Sequence, residues 1–310
     1  MDQAIFGIDG GGTGTRLRIE SADGQVLATA ESTALNPRSN SIDRVSTVLH
    51  ELFGKALVTA GLTMGELSTG FIGCAGADRP SEKSLLEDIM RRSLGFTGKL
   101  GLGNDAETAL AGGLPDGFGI ILIAGTGSIA WAKSASGRIQ RCGGWGHLLG
   151  DEGSAWWIAR EALSRAIHIH EGRLAAPDPT GQAGREILAA FLETWKLASP
   201  GELIPLVYGD FDKSRIAAGA RIVESLRERG NRLAGEIFAE AATDLAALAV
   251  SVAGAMDVPA SGLLLHGGLF AGNRWLRETC SSDLSARGFS VHGPGSDAAL
   301  GACRLARSLV

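Results

Sequence analysis

The tightest constraint on the fold is an arrangement that occurs twice. Ile5-Phe6-Gly7-Ile8-Asp9-Gly10-Gly11-Gly12-Thr13-Gly14-Thr15-Arg16-Leu17-Arg18-Ile19 is an apolar run, a carboxylate, a glycine-rich turn and a second run in which Leu17 and Ile19 alternate with Arg16 and Arg18. Alternation with period two is a strand signal, so the turn joins two strands. The plan restarts at Phe118, with an apolar run at 118–124, then Gly125-Thr126-Gly127-Ser128, a second strand at 129–132, a turn at Ser136-Gly137 and a third strand. Duplication of strand, glycine turn and strand predicts two similar domains facing one another across a cleft.

Glycine brings backbone N–H groups close to a ligand, so each turn is a candidate phosphate hairpin, although an ordinary tight β-hairpin accounts for the first one equally well. A P-loop needs Gly-x-x-x-x-Gly-Lys-Ser/Thr opening a helix, and the first turn has no such spacing. Gly125-x-Gly127-x-x-Ala130 does match a dinucleotide fingerprint. The residues after it are strand-like, however, and the pyrophosphate of a dinucleotide needs a helix N-terminus there.

Between the two turns the pattern reads βββαβαβα. A third strand is expected at 25–30, and a helix capped near Ser41 carries Val45, Leu49, Leu52, Phe53 and Ala56 on one face. Strands follow at 69–74 and 99–102, the first with a helix at 81–94 behind it. Strands joined by crossover helices require a parallel portion of the sheet, and ligands gather at the carboxyl ends of such strands. Asp78 and Asp105 fall at those ends. The duplication divides the chain into an N-terminal domain of 1–115 plus 296–310 and a C-terminal domain of 116–295.

In the second half, Gly143-Gly144-Trp145-Gly146-His147-Leu148-Leu149-Gly150-Asp151-Glu152-Gly153-Ser154 is too long and glycine-rich to be a simple connection. Asp151 and Glu152 also suit the start of the next helix, as caps favoured by its dipole. Residues 182–256 read as a helical scaffold without chemistry. Leu265-His266-Gly267-Gly268 is a strand end and a double glycine, where a flat nucleoside can lie against bare backbone.

With 45% hydrophobic and 20% charged residues in 310, and a net charge of −5, the chain is of ordinary globular composition. There is no basic run for nucleic acid or an anionic membrane. The start lacks a basic leader, and the apolar run 245–256, between Asp244 and Asp257, is too short to span a bilayer, which gives a cytoplasmic expectation. Cys74, Cys142, Cys280 and Cys303 have neither metal-ligand nor disulfide-framework spacing.

Asp9 to Thr13, Ile123 to Ser128 and Leu265 to Gly268, in that order, resemble the phosphate-1, phosphate-2 and adenosine segments of the actin, Hsp70 and hexokinase-type ATPase superfamily. The long segment from Cys142 to Ile158 resembles the sugar-site segment of the N-acetylglucosamine kinase family, within the benzoyl-CoA-reductase-activase-like ATPases. The resemblance implies an α/β fold of two ribonuclease-H-like, actin-type domains, each a βββαβαβα mixed sheet. It implies an ATP-dependent kinase that moves the γ-phosphoryl group to the 6-hydroxyl of N-acetylglucosamine or glucosamine, with Mg²⁺, as a homodimer without nucleic-acid or membrane partners. Asp9 would hold the metal. Gly10, Gly11, Gly12, Thr13 and Thr15, with Gly125, Thr126, Gly127 and Ser128, would bind the phosphates, and Gly267, Gly268 and Asn273 the adenosine. Asp105 would accept the hydroxyl proton, although an N-cap of a helix beginning at Ala106 explains it too. Asn36, Ala75, Gly76, Asn104, Thr126, Gly144, Trp145, Gly146 and Asp151 would line the sugar. Ala75 stands where the family pattern leads one to expect Ser, removing one hydroxyl. The cysteine cluster of the repressor, open reading frame and kinase family is absent. An activase of a radical dehydratase, which needs cysteines bridging an iron–sulfur cluster, and a non-catalytic sugar-binding protein are the rival readings.

Overall fold

The computed structural model describes residues 4–11, 14–77, 79–175, 181–209, 211–256, 262–293, 295 and 297–309. Gly12 and Thr13 of the first turn, and Asp78, lie outside the described residues. The chain divides into two units, Met1–Gly119 with Gly295–Val310, and Ile120–Pro294.

In the first unit the order is β1 (Ala4–Gly10), β2 (Gly14–Glu20), β3 (Val26–Thr33), α1 (Ile42–Ala60), β4 (Leu67–Cys74), α2 (Pro80–Asp88), β5 (Lys99–Gly103) and α3 (Asp105–Gly113). Their sheet has the order β3-β2-β1-β4-β5, antiparallel from β3 to β1 and parallel from β1 to β5. Pleating sends Phe6 and Ile8 to the α1 face, where the Phe6 ring meets Phe53 and Phe96 edge-on at 5.0 and 5.1 Å. Ile5, Gly7 and Asp9 therefore face the other side. Ser41 caps α1 as the sequence predicts, its hydroxyl accepting from Arg44 N. The helix expected at 81–94 is α2 followed by a π turn at Ile89–Ser93.

The second unit runs β6 (Gly119–Ala124), β7 (Ser128–Lys133), β8 (Ile139–Gly143), α4 (Ala155–His170), α5 (Gln182–Trp195), α6 (Leu203–Tyr208), α7 (Lys213–Ala218), α8 (Ala220–Glu228), α9 (Arg232–Met256), β9 (Gly262–His266), α10 (Gly268–Gly272), α11 (Arg274–Ala286) and β10 (Ser290–His292). Its sheet has the order β10-β9-β6-β7-β8, with β10, β9 and β6 parallel and β7 antiparallel to β8. The run at 245–256 is the end of the 25-residue α9, which is long and apolar enough by length and composition to cross a membrane. Leu233, Ile237, Phe238, Ala241 and Leu245 make it instead a helix of this unit's core.

The last helix, α12 (Ala298–Arg307), returns to the first unit and lies backbone to backbone on β1 and α3. A Cβ on Gly7 would stand 2.5 Å from Cys303 N, and one on Gly301 would overlap the carbonyl oxygen of Thr108. Gly301→Ala is expected to destabilise the protein by about 3 kcal/mol, because neither backbone can give way without moving a helix. Thermal denaturation should show the midpoint falling by roughly 5 °C.

Candidate functional site

In the first unit the carboxyl ends of β1, β4 and β5 bring the predicted residues together. Asp9 is the last residue but one of β1, on the α3 side, in register with Gly73 of β4 and Arg16 of β2. Ala75 N donates to the carbonyl of Gly10 at 2.8 Å, which ties the turn after β4 to the first hairpin. Gly76, at φ +81°, packs against Asn36, whose Oδ1 accepts from Arg38 N and Ser39 N at 3.0 and 3.2 Å. Thr15 turns away into the sheet, its buried hydroxyl donating to Thr33 O at 2.7 Å.

Helix α3 begins at Asp105, and its cap is Asn104, whose Oδ1 accepts from Glu107 N at 2.9 Å. The N-cap explanation of Asp105 therefore fails: the neighbouring Asn does that work. Thr108, fully buried and not anticipated from sequence, has its hydroxyl 3.1 Å from Asp9 Oδ1 and 2.9 Å from the carbonyl of Asp105, its one hydrogen shared between them. Burial pushes the Asp9 carboxyl up from 3.8 to about 6; the Thr108 hydrogen bond opposes this and the negative charge of Asp105 adds to it. Two carboxylates that feel one another at the end of a parallel sheet form a site where positive charge is welcome.

In the second unit the turn 125–128 is held from several sides. Gly125 N donates to Gly127 O at 2.9 Å, and the carbonyl of Gly125 accepts from Ala155 N, the first residue of α4. Ser128 Oγ donates to the carbonyl of Glu152 at 2.7 Å. Gly267, at φ +104°, packs on the backbone of Ala124, and Gly268 follows beside Gly125. Asn273 caps α11, its Oδ1 accepting from Leu276 N at 2.7 Å.

Asp151 is not a helix cap either, since Ser154 caps α4 by accepting from Trp157 N. It is 3% exposed and, at φ +64°, in the left-handed region that a non-glycine residue rarely enters. Its Oδ1 accepts from Ser128 N at 3.2 Å and its Oδ2 from Lys213 Nζ at 2.7 Å. A Cβ on Gly127 would stand 2.7 Å from Oδ1, so glycine is required where the carboxylate sits. Gly143, Gly144 and Gly146 all have positive φ, and Trp145, 64% exposed, lies under the Arg141 guanidinium at 4.8 Å. Beside this loop is a largely apolar cavity of about 710 Å³ lined by His147, Leu148, Trp156, Phe211 and Ile216 among others. Lys213, and Phe211, whose ring stacks on that of His147, belong to the helical stretch 182–256, which thus reaches this loop.

Two mixed sheets with a glycine hairpin each are the fold of two-domain, actin-like sugar kinases. A ROK family glucokinase from Streptomyces griseus, in complex with glucose and AMPPNP, shares that fold at TM-score 0.57 and 17% identity over 98% of this chain and 99% of the other. A crystal structure from Chromobacterium violaceum, described as a candidate N-acetylglucosamine kinase, aligns over 98% and 99% of the two chains at TM-score 0.74 and 27% identity. Residues 6–306 match the BadF/BadG/BcrA/BcrD ATPase family, and the chain belongs to that family. It is 39% identical over 243 residues, 78% of this chain and 76% of the other, to the N-acetylmuramic acid/N-acetylglucosamine kinase of Clostridium acetobutylicum. It is 30% identical over 263 residues, 81% and 80% of the two chains, to the N-acetyl-D-glucosamine kinase of Dictyostelium discoideum.

Proposed function

We propose that the protein is an ATP-dependent kinase that transfers the γ-phosphoryl group to the 6-hydroxyl of an amino sugar: N-acetylglucosamine, N-acetylmuramic acid or glucosamine. The observation that carries this reading is the Asp9–Asp105 pair, with Asn104 rather than Asp105 capping α3. Asp105 accepts the proton of the attacking hydroxyl, as a general base positioned at the start of a helix. Gly125 and Ser128 use their N–H groups on Gly127 O and Asp151, which leaves phosphate contact in this turn to those of Thr126 and Gly127. Gly267 and Gly268 give the adenosine a bare backbone surface. Asn36, Gly76, Trp145 and Asp151 orient the sugar.

Asp9 fits a hard dication: its carboxylate is costly to keep charged where it lies, and a bound cation offsets that cost. Among the described residues no cluster of three or more acidic, histidine or cysteine side chains forms a dedicated cage. That suits Mg²⁺, which takes one or two carboxylates and keeps water and substrate phosphates for the rest. When bound, Mg²⁺ supplies charge neutralisation of the phosphates.

Cys74, Cys280 and Cys303 are buried, and burial pushes the thiols of Cys280 and Cys303 up to about 12. Such thiols are poor ligands for a shared iron–sulfur cluster, which weighs against the activase reading. We place the reaction in the cytoplasm and in a homodimer. The test is coupled ADP release with Mg-ATP and each sugar in turn. Turnover is expected with at least one acetylated amino sugar and none with its 6-deoxy analogue; no activity on any sugar would overturn the reading.

A further inference from the structure

We infer that Lys213 is a positioning residue for the phosphate turn 125–128, acting through Asp151; as a role in catalysis, this rests on the kinase reading above. The segment that carries it grips the 143–154 loop at two points. Phe211 stacks on His147 with ring centroids 5.0 Å apart and planes 24° apart. Two residues later, Lys213 Nζ reaches Asp151 Oδ2 at 2.7 Å.

Asp151 has every reason to move if that ammonium is removed. Its side chain is buried, its backbone is in the left-handed region that few non-glycine residues adopt, and only its other oxygen, bonded to Ser128 N at 3.2 Å, would still have a donor. A buried carboxylate stripped of its cation must find water, take a proton or swing out. Swinging out withdraws Oδ1 from the Ser128 amide and from the space beside Gly127, and a water or a proton at Oδ2 weakens the carboxylate's hold on both, two of the contacts that hold the turn. Asp212 anchors the lysine from behind by capping α7, its Oδ1 accepting from Ser214 N at 2.8 Å. Lys213 thus transmits the position of the 211–213 segment, through one carboxylate, to the turn.

The experiment measures steady-state kinetics with the best acceptor sugar and MgADP affinity by calorimetry for wild type, Lys213→Met, Lys213→Arg, Asp151→Asn and the double variant Lys213→Met/Asp151→Asn. Lys213→Met is expected to lower kcat/KM for MgATP by about tenfold to a hundredfold, the scale of a small displacement of a binding group, and to weaken MgADP by about tenfold. Lys213→Arg should recover most of both, since it keeps the charge. The double variant should be no worse than Asp151→Asn alone, because a residue that acts only through Asp151 has nothing left to act on. It also carries no unpaired buried charge, so it reports even if Lys213→Met fails to fold. Wild-type kinetics and MgADP affinity in Lys213→Met, or losses that multiply in the double variant, would overturn the assignment. The calorimetric arm needs no turnover: MgADP affinities that follow this pattern in a protein inactive on every sugar would sink the kinase reading and keep the Lys213–Asp151 connection.

Discussion

Asp105→Asn is expected to lower kcat at least about a hundredfold, the usual cost of losing a general base, while MgADP still binds. The substitution is chosen to be nearly silent for folding. Asn104 holds the first turn of α3 through Glu107 N, so the helix keeps its cap. Asp105 gains from the positive end of the helix, an effect of roughly 0.3–1 kcal/mol, and loses through repulsion from Asp9, so removing its charge leaves the melting temperature close to that of wild type. There is a second signature. The negative charge of Asp105 is one of the causes that raise the Asp9 carboxyl, and its removal should bring Asp9 back toward the ordinary carboxylate range. Stopped-flow and steady-state assays with the best sugar measure the first effect, and a carboxyl titration by NMR the second. Near-normal turnover in a folded Asp105→Asn protein would remove the base from the mechanism.

The sequence makes legible what local periodicity and chemistry determine, and hides what depends on distant partners. The β1–β2–β3 meander follows from alternation and turn residues, and α1 from its apolar face and Ser41. The strand ends that carry Asp9 and Asp105 follow from the rule that ligands collect there. Thr108 and Lys213 do not, because each matters only through a carboxylate 99 or 62 residues away. Thr108 follows Asp105 by three residues on one face of α3, so the two side chains lie together once the helix starts at Asp105. Nothing comparable marks Lys213, one lysine in a helical stretch. The same limit applies to Asp151. An acidic residue just before a helix reads as a cap, and only the fold reveals the left-handed backbone and the two donors that make it a bracket for the turn. Even α9 illustrates it, since the apolar run 245–256 is short until Leu233 to Ala241 join it on one buried face.

Asp9→Asn should separate stability from activity in opposite directions. In the folded protein the Asp9 carboxyl lies at about 6 rather than 3.8, so between those values the native state holds a proton that the unfolded chain has released. Stability therefore falls as pH rises through that window, and above about 6 the whole cost is present, up to roughly 3 kcal/mol. Below about 4 both states are protonated and the cost is absent. Asn keeps the shape and can still accept from Thr108 without carrying a charge. Metal-free Asp9→Asn is accordingly expected to be more stable than wild type at pH 8, by about 1–3 kcal/mol in urea denaturation, with the advantage vanishing near pH 4. Adding Mg²⁺ with nucleotide should narrow the difference by stabilising wild type alone, as a ligand bound only to the native state must. On the proposal that Asp9 holds Mg²⁺, the same variant should also lose phosphoryl transfer by at least about a hundredfold, because the carboxylate that is costly to keep charged without a cation is the one that would hold it. An Asp9→Asn protein no more stable than wild type at pH 8, or one stabilised equally by Mg²⁺ and nucleotide, would take the metal away from Asp9.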